Sequence, residues 1–508
     1  MGELKSLQFL YRKRESLNLG QRETLTRFGV LNVVYFCTTF MSKSHAKLGT
    51  DKISRLLINL STPAMTAMFA TALYNIIDTI FIGHGIGSMG IAAVAIVLPI
   101  VGIINSFAHM VGIGSASLLS RSLGAKKYDQ VDTIAGNSML MIFLIGMFFT
   151  TIGLVFNEPV LRLFGATDKI IPYASSYSQI IFIAMLWFPF CVSSNNLLRA
   201  EGNAKEAMNA MLLGMVINTA LDYLFIFPLN MGMQGAALAT AIGKFANLIY
   251  IIYYFNSSKT IIKLKLPNFR LKKNIVKETT GVGLSGLGMR SSGSIAVVII
   301  NHTLGSLGGE IAIAVFAIIY RVTLFIAMPL FGLNQGMQPI VGYNYGANQP
   351  GRVKKTVRLG LAYSLIFGIF IVAIAEIFPK EIFSIFTNDQ QLIAEGTSAF
   401  MIVVSMMWVL GISIAGTGIH QALGKKKSSF VLSVMRWIIL IVPLVIILPN
   451  LFNLGILGVW LAFPLADLAV ALITLAILGR TLYQHNIISR KFPLKLTRKA
   501  KFAAKDSI

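Results

Sequence analysis

The chain has 508 residues, of which 55% are hydrophobic and 13% charged, where an ordinary soluble domain has roughly a quarter charged. Apolar stretches near the ~20 residues that a bilayer crossing needs recur from Leu57 to Leu478, which excludes a soluble enzyme, a secreted disulfide scaffold and a disordered chain. The 44 Lys and Arg against 20 Asp and Glu give a net charge of +24, which by itself would suit a nucleic-acid partner, so the placement of the bases has to decide.

In chain order, a basic stretch (Arg12, Lys13, Arg14, Arg22, Arg27) precedes a short apolar run, Val30 to Phe40, and a small-residue site at Ser44-His45-Ala46. That outline is the one a signal peptide has, but cleavage there would invert every later loop against the charge rule. The expectation is instead a chain that starts naturally at Met41, with residues 1–40 not native. Twelve apolar spans follow. Six lie near 57–83, 91–118, 134–156, 171–196, 206–228 and 233–255, and six near 279–305, 311–338, 357–378, 394–421, 429–449 and 455–479. The even-numbered loops, the N-terminal arm and the tail hold 37 of the 44 bases. By the positive-inside rule these segments and both termini are cytoplasmic, and the charge becomes an orientation signal with no nucleic acid implied. Cys37 and Cys191 make no framework of bridges.

A shift of 222 residues superposes Gly83 on Gly305, Gly87 on Gly309, Gly114 on Gly336, Gly124 on Gly346 and Gly202 on Gly424, and one residue later Gly232 and Gly235 fall on Gly455 and Gly458. The repeat unit is thus six spans. Because six is even, the two copies insert in the same orientation, as parallel-repeat transporters do. The predicted organisation is an arm (1–55), an N-terminal six-helix bundle (56–255), a solvated cytoplasmic linker (256–278), a C-terminal bundle (279–480) and a basic tail (481–508). The fold class is an all-α polytopic membrane protein.

A carboxylate within a span costs several kcal/mol unless paired, neutralised or wet. Asp78 in span 1 and Asp222 in span 5 fall at one depth, with Tyr74 and Asn218 a turn before each on the same helix face, and Thr240 in span 6 reaches that depth on the way back. Two acids, an amide and a hydroxyl make an oxygen-lined pocket suited to a proton or a small hard cation. Asp467 and Glu376 are expected to be structural, Asp467 with Arg436 as its candidate partner. Arg290 and Arg321 line the cleft or reach its edge, and His302 and His420 belong to solvated or capping positions at span ends. Pro63, Pro99 and Pro189 interrupt spans, Pro63 as a hinge or a fixed bend in the helix that carries Asp78. No Walker A pattern, nucleophile elbow or His-x-x-x-His pair occurs, so no catalytic residue, enzyme activity or cofactor is expected, and transport has to draw on an ion gradient.

Pro63, the run Tyr74 to Gly83, Asn196-Leu-Leu-Arg-Ala-Glu-Gly-Asn203, Asn218 to Asp222 and Gly232-Met-Gln-Gly-Ala-Ala-Leu-Ala-Thr240 resemble the multidrug and toxic compound extrusion (MATE) family, in its bacterial MepA-like branch, from about residue 50 to 480. The resemblance implies two six-helix bundles in a V. It also implies expulsion of bulky, often cationic or amphipathic compounds across a bacterial cell membrane in exchange for H⁺ or Na⁺, by a monomer. The family's cation site matches Asp78, Asn218, Asp222 and Thr240, with Ala236 where some members carry a second hydroxyl. Tyr74, Tyr177 and Asn195 or Asn196 fall at cavity positions. Spans 7 and 10 lack the acids some branches carry. Two rivals are a related lipid-linked saccharide flippase, which would line its cleft with Arg and Lys, and an uncoupled channel or scaffold, which could not move a substrate uphill.

Overall fold

The computed structural model describes residues 43–387, 389–485 and 487, so the expected start at Met41 and nearly all of the basic tail lie outside the described residues. The N-terminal half contains α1 (Lys43–Thr50), α2 (Ile53–Gly85), α3 (Ser88–Gly124), α4 (Tyr128–Val155), α5 (Asn157–Leu163), α6 (Ile171–Ala184), α7 (Phe188–Ala200), α8 (Ala204–Ile226) and α9 (Gly232–Phe255). The second half contains α10 (Lys273–Gly346), α11 (Pro350–Ile377), α12 (Pro379–Ser384), α13 (Gln390–Val404), α14 (Leu410–Ala422), α15 (Lys426–Val434), α16 (Val442–Ile447) and α17 (Ile456–Gln484).

Among the described residues nine helices are long and apolar enough to cross a bilayer, and the bent pairs α6–α7 (46°) and α13–α14 (40°) bring the number to 11. Helix α10 has 74 residues and would measure roughly 110 Å if straight, far beyond a bilayer's ~30 Å hydrocarbon core. It turns at Gly309, where φ is 63° and ψ is −152°, and its two legs complete the twelve crossings. Of the three prolines read as interruptions, Pro189 sits at the α6–α7 bend. Pro63 and Pro99 lie inside α2 and α3, each of which runs on as one helix.

The duplication is visible in backbone conformation. Six of the seven glycines with positive φ among the described residues pair at a shift of 222 or 223 residues: Gly87 with Gly309, Gly202 with Gly424, and Gly232 with Gly455. The four residues other than glycine with positive φ among those described also pair, Lys126 (57°) with Asn348 (53°) and Asn230 (47°) with Asn453 (53°). Side chains meet a steric penalty in this region, so their repetition reflects one turn geometry used twice.

The halves meet by a symmetric contact. A Cβ on Gly124 would lie 1.9 Å from the Tyr343 carbonyl oxygen, and one on Gly346 would lie 2.0 Å from that of Arg121. Both glycines are therefore required by close backbone approach. This contact is at the basic end of the molecule, beside the Lys126 and Arg352 turns. Arg352 there donates to the Leu48 and Asp51 carbonyls at 3.0 and 2.8 Å, tying α1 to the second half. Contacts between halves extend as far as the Phe69 and Phe325 rings, 5.4 Å apart, and His109 with Arg290. Toward the far end, Leu98 and Ile103 of α3 and Ile295 and Val298 of α10 are exposed, and the two bundles form a V that opens there.

Three expectations change. The segment 256–272 is not a solvated tether. The Lys263 and Lys272 backbone N–H groups donate to Asp132 and Asn137 at 2.7 Å each. Thr260 donates to Glu201 Oε2 at 2.9 Å, and Tyr254 and Asn203 donate to Glu201 Oε1. Burial pushes the Glu201 carboxyl above the usual carboxylate range, and these hydrogen bonds oppose that push. His420 is not at a solvated end: it is fully buried, with Nδ1 2.7 Å from the Gly416 carbonyl and Nε2 3.0 Å from Thr481 Oγ1, joining α14 to α17. Glu376 is exposed one residue before the end of α11. Asp467 pairs with Arg436 by two hydrogen bonds, 2.6 and 3.2 Å. Arg436 reaches it from a π-helical turn, Met435–Ile441, so the charge of the buried acid is matched within the bundle.

Candidate functional site

Helices α8 and α9 cross where glycines face each other. A Cβ on Gly243 would stand 2.6 Å from the Gly214 carbonyl oxygen and 2.6 Å from the Asn218 Cβ. With no side chains in the way, the backbones touch, and Asn218 meets Thr240, Nδ2 to Oγ1 at 3.4 Å. Helix α2 packs along α8 and brings Asp78 beside Asp222, close enough for each carboxyl to act on the other. The hydroxyls of Tyr74 on α2 and Tyr177 on α6 both approach Thr240.

The group is buried, Asp222 completely and Asp78 at 9% exposure. It borders a cavity of about 170 Å³ lined by Tyr74, Gly214, Met215, Asn218, Thr240, Gly243 and Lys244. Four of its acceptor oxygens have no hydrogen-bond partner among the described residues: Asp78 Oδ1, Asn218 Oδ1 and both Oδ atoms of Asp222. Buried oxygens without donors are rare and need a proton, water or cation to satisfy them. The set Asp78, Asn218, Asp222 and Thr240 is oxygen-only, a donor chemistry that fits a hard cation and equally a proton. Among the described residues no group of three or more His, Cys, Asp or Glu is placed to hold a metal ion.

Ala236 is buried one turn from Thr240 on the same face of α9. Asn195 and Asn196 stand apart from the acids. Asn195 donates back to Cys191 O at 2.7 Å, and Asn196 donates to Val192 O at 2.8 Å and lines a different cavity, between the two halves. Lys244 joins the site although its sequence position marks it only as a base within a span. Its Nζ lies 4.8 Å from the Phe188 ring centroid and 5.7 Å from that of Tyr74, and its charge acts on Asp78. The signal that could have found it is its position four residues after Thr240, on the same helix face.

Twelve crossings in duplicated six-helix bundles, with unsatisfied acids in one bundle, define a multi-pass membrane transporter of the parallel-repeat kind. The MatE family model matches residues 63–224 and 292–447, and the chain belongs to that family, the multidrug and toxic compound extrusion transporters. Multidrug export protein MepA of Staphylococcus aureus (strain MRSA252) is 25% identical over 426 residues, 84% of this chain and 93% of the relative. The MATE multidrug transporter DinF-BH, solved as a ligand complex, is 40% identical with a TM-score of 0.78, covering 85% of this chain and 96% of that one. A MATE family transporter solved in an outward-facing conformation has a TM-score of 0.82 at 25% identity, covering 87% of this chain and 99% of that one.

Proposed function

We infer that this chain is a secondary active exporter that expels bulky, often cationic organic compounds by antiport with H⁺ or Na⁺. The observation that carries this reading is the facing pair Asp78 and Asp222, buried with three carboxylate oxygens unpartnered among the described residues. Two ionised carboxylates side by side in low dielectric repel each other, so the pair favours an added positive charge. A drug cation and the coupling ion compete for that negative charge, and their opposed preference supplies the coupling free energy that antiport needs. Asn218 and Thr240 complete the oxygen cage, Ala236 leaves it one hydroxyl smaller, and Tyr74 and Tyr177 wall it with aromatic rings. No cofactor enters this scheme.

The basic end faces the cytoplasm of a bacterial cell by the positive-inside rule. The V is then open outward, and its cytoplasmic end is closed by the Gly124 and Gly346 contacts. From this state an ion reaches Asp78 and Asp222, the drug leaves, and the two bundles rock to expose the cleft inward. Pro63, which takes one backbone hydrogen bond out of α2, allows that helix to bend as the ion binds.

Export of ethidium into proteoliposomes driven by a pH gradient alone and by a Na⁺ gradient alone tests the reading. Accumulation under one gradient, abolished when it is collapsed, is expected. Equal leak in both conditions would make the protein an uncoupled channel.

A further inference from the structure

The floor of the cleft carries a second polar site, of opposite sign. His109 of α3, Arg199 of α7 and Arg290 of α10 converge there. Arg290 Nη2 lies 3.0 Å from His109 Nε2, and both guanidinium groups lie within electrostatic reach of the imidazole. A guanidinium has no acceptor, so Arg290 donates and His109 Nε2 accepts, which leaves the ring neutral with its proton on Nδ1. Arg199 Nη2 donates to Asn196 Oδ1 at 3.3 Å.

Neither arginine has a carboxylate within 4.0 Å among the described residues, whereas Arg121, Arg162 and Arg436 each do. Arg290 falls inside a span, where a guanidinium without a carboxylate costs several kcal/mol and marks a substrate or ion pathway. Beside Arg199 is a cavity of about 330 Å³ between the halves. Its polar lining comes from Ser117, Ser120 and Asn196 of the first half and from Gln335 and Gln338 of the second. Hydroxyl and amide donors next to the planar guanidinium fork of Arg199, with a second fork, Arg290, across His109, suit one ligand class, a carboxylate or phosphate.

We propose that the cleft floor binds an oxyanion, carboxylate or phosphate, on an amphiphilic compound held in the cleft between Arg199 and Arg290. The cleft is then bipolar, with acids in the N-terminal bundle and bases at the junction of the halves, and it favours zwitterions over simple cations. This rests on the export reading above. The oxyanion can belong to the exported compound or to a lipid headgroup, and the test separates the two.

The full-length protein in nanodiscs of phosphatidylcholine is titrated with the zwitterionic dye rhodamine 19, which carries a free carboxylate, and with the ethyl ester of the same dye, and binding is read by fluorescence anisotropy. The acid is expected to bind about tenfold tighter than the ester. Arg199→Gln or Arg290→Gln is expected to remove that preference while the ester's affinity holds, and Arg290→Lys to restore part of it. Displacement of rhodamine 19 by added phosphatidylglycerol, lost in the Gln variants, assigns the site to a headgroup phosphate, and the absence of displacement assigns it to the compound's own carboxylate. Equal affinity for acid and ester in the unmodified protein, or a preference that survives both substitutions together, overturns the proposal alone. Failure of both dyes to bind overturns the export reading and this proposal with it.

Discussion

Lys244 places its amine over the Tyr74 and Phe188 rings, within cation–π reach, and in its charged form it acts on Asp78. It competes electrostatically with any ion that enters. Replacing it by Met is expected to raise the apparent affinity for the driving ion by roughly tenfold, since two charges about 5–10 Å apart at an effective dielectric near 20 interact by ~2–3 kcal/mol. Transport rates measured against ion concentration check this, and an unchanged half-saturation would contradict it. Asp78, Asn218, Asp222 and Thr240 were legible because charge inside a span is rare and equal depth can be read from helix rise. Lys244, Arg199 and Arg290 were visible as letters but not as a site. Their meaning depends on which helix each one faces, and periodicity within one helix does not hold that information. His420 was misplaced for the same reason: a residue near a span end can still be enclosed by a neighbouring helix.

The α8–α9 crossing shows how an element's small residues shape the site. Gly243→Leu would drive a side chain into the Asn218 Cβ and the Gly214 carbonyl, each 2.6 Å from the first added carbon, and push the helices apart. Overpacking of this kind costs roughly 1–3 kcal/mol. The expected result is a lower melting temperature in detergent, with transport lost along with the Asn218–Thr240 contact. A variant with wild-type melting temperature and transport would show that the crossing does not set the site. The linker teaches a related point. Its basic, polar composition looks solvated, yet Glu201, Asp132 and Asn137 bind its backbone and side chains, and polar anchors of this sort leave no hydrophobic pattern to read.

At the scale of the whole molecule, the repeated glycines announced the duplication, and paired turn conformations and reciprocal Gly124 and Gly346 contacts express it. The closure between halves was not legible, because it depends on long-range pairing such as Arg121 with Glu278 at 3.0 Å, next to Lys426 with Glu278 at 2.6 Å. Glu278 thus holds a base from each half. These groups are partly exposed, so the latch contributes about 1 kcal/mol. Glu278→Gln is expected to shift the population from far-end-open toward the opposite state by up to about fivefold, read as a shorter distance between spin labels at Leu98 and Ile295. No change in the distance distribution would mean that the backbone contacts alone set the resting state.

The most direct test of the account concerns the acid pair. In proteoliposomes with an imposed ion gradient, Asp222→Asn and Asp78→Asn are each expected to cut uphill ethidium export at least tenfold while the folded protein retains its melting temperature. Uphill export at the full wild-type rate by either variant would contradict the assignment of coupling to Asp78 and Asp222.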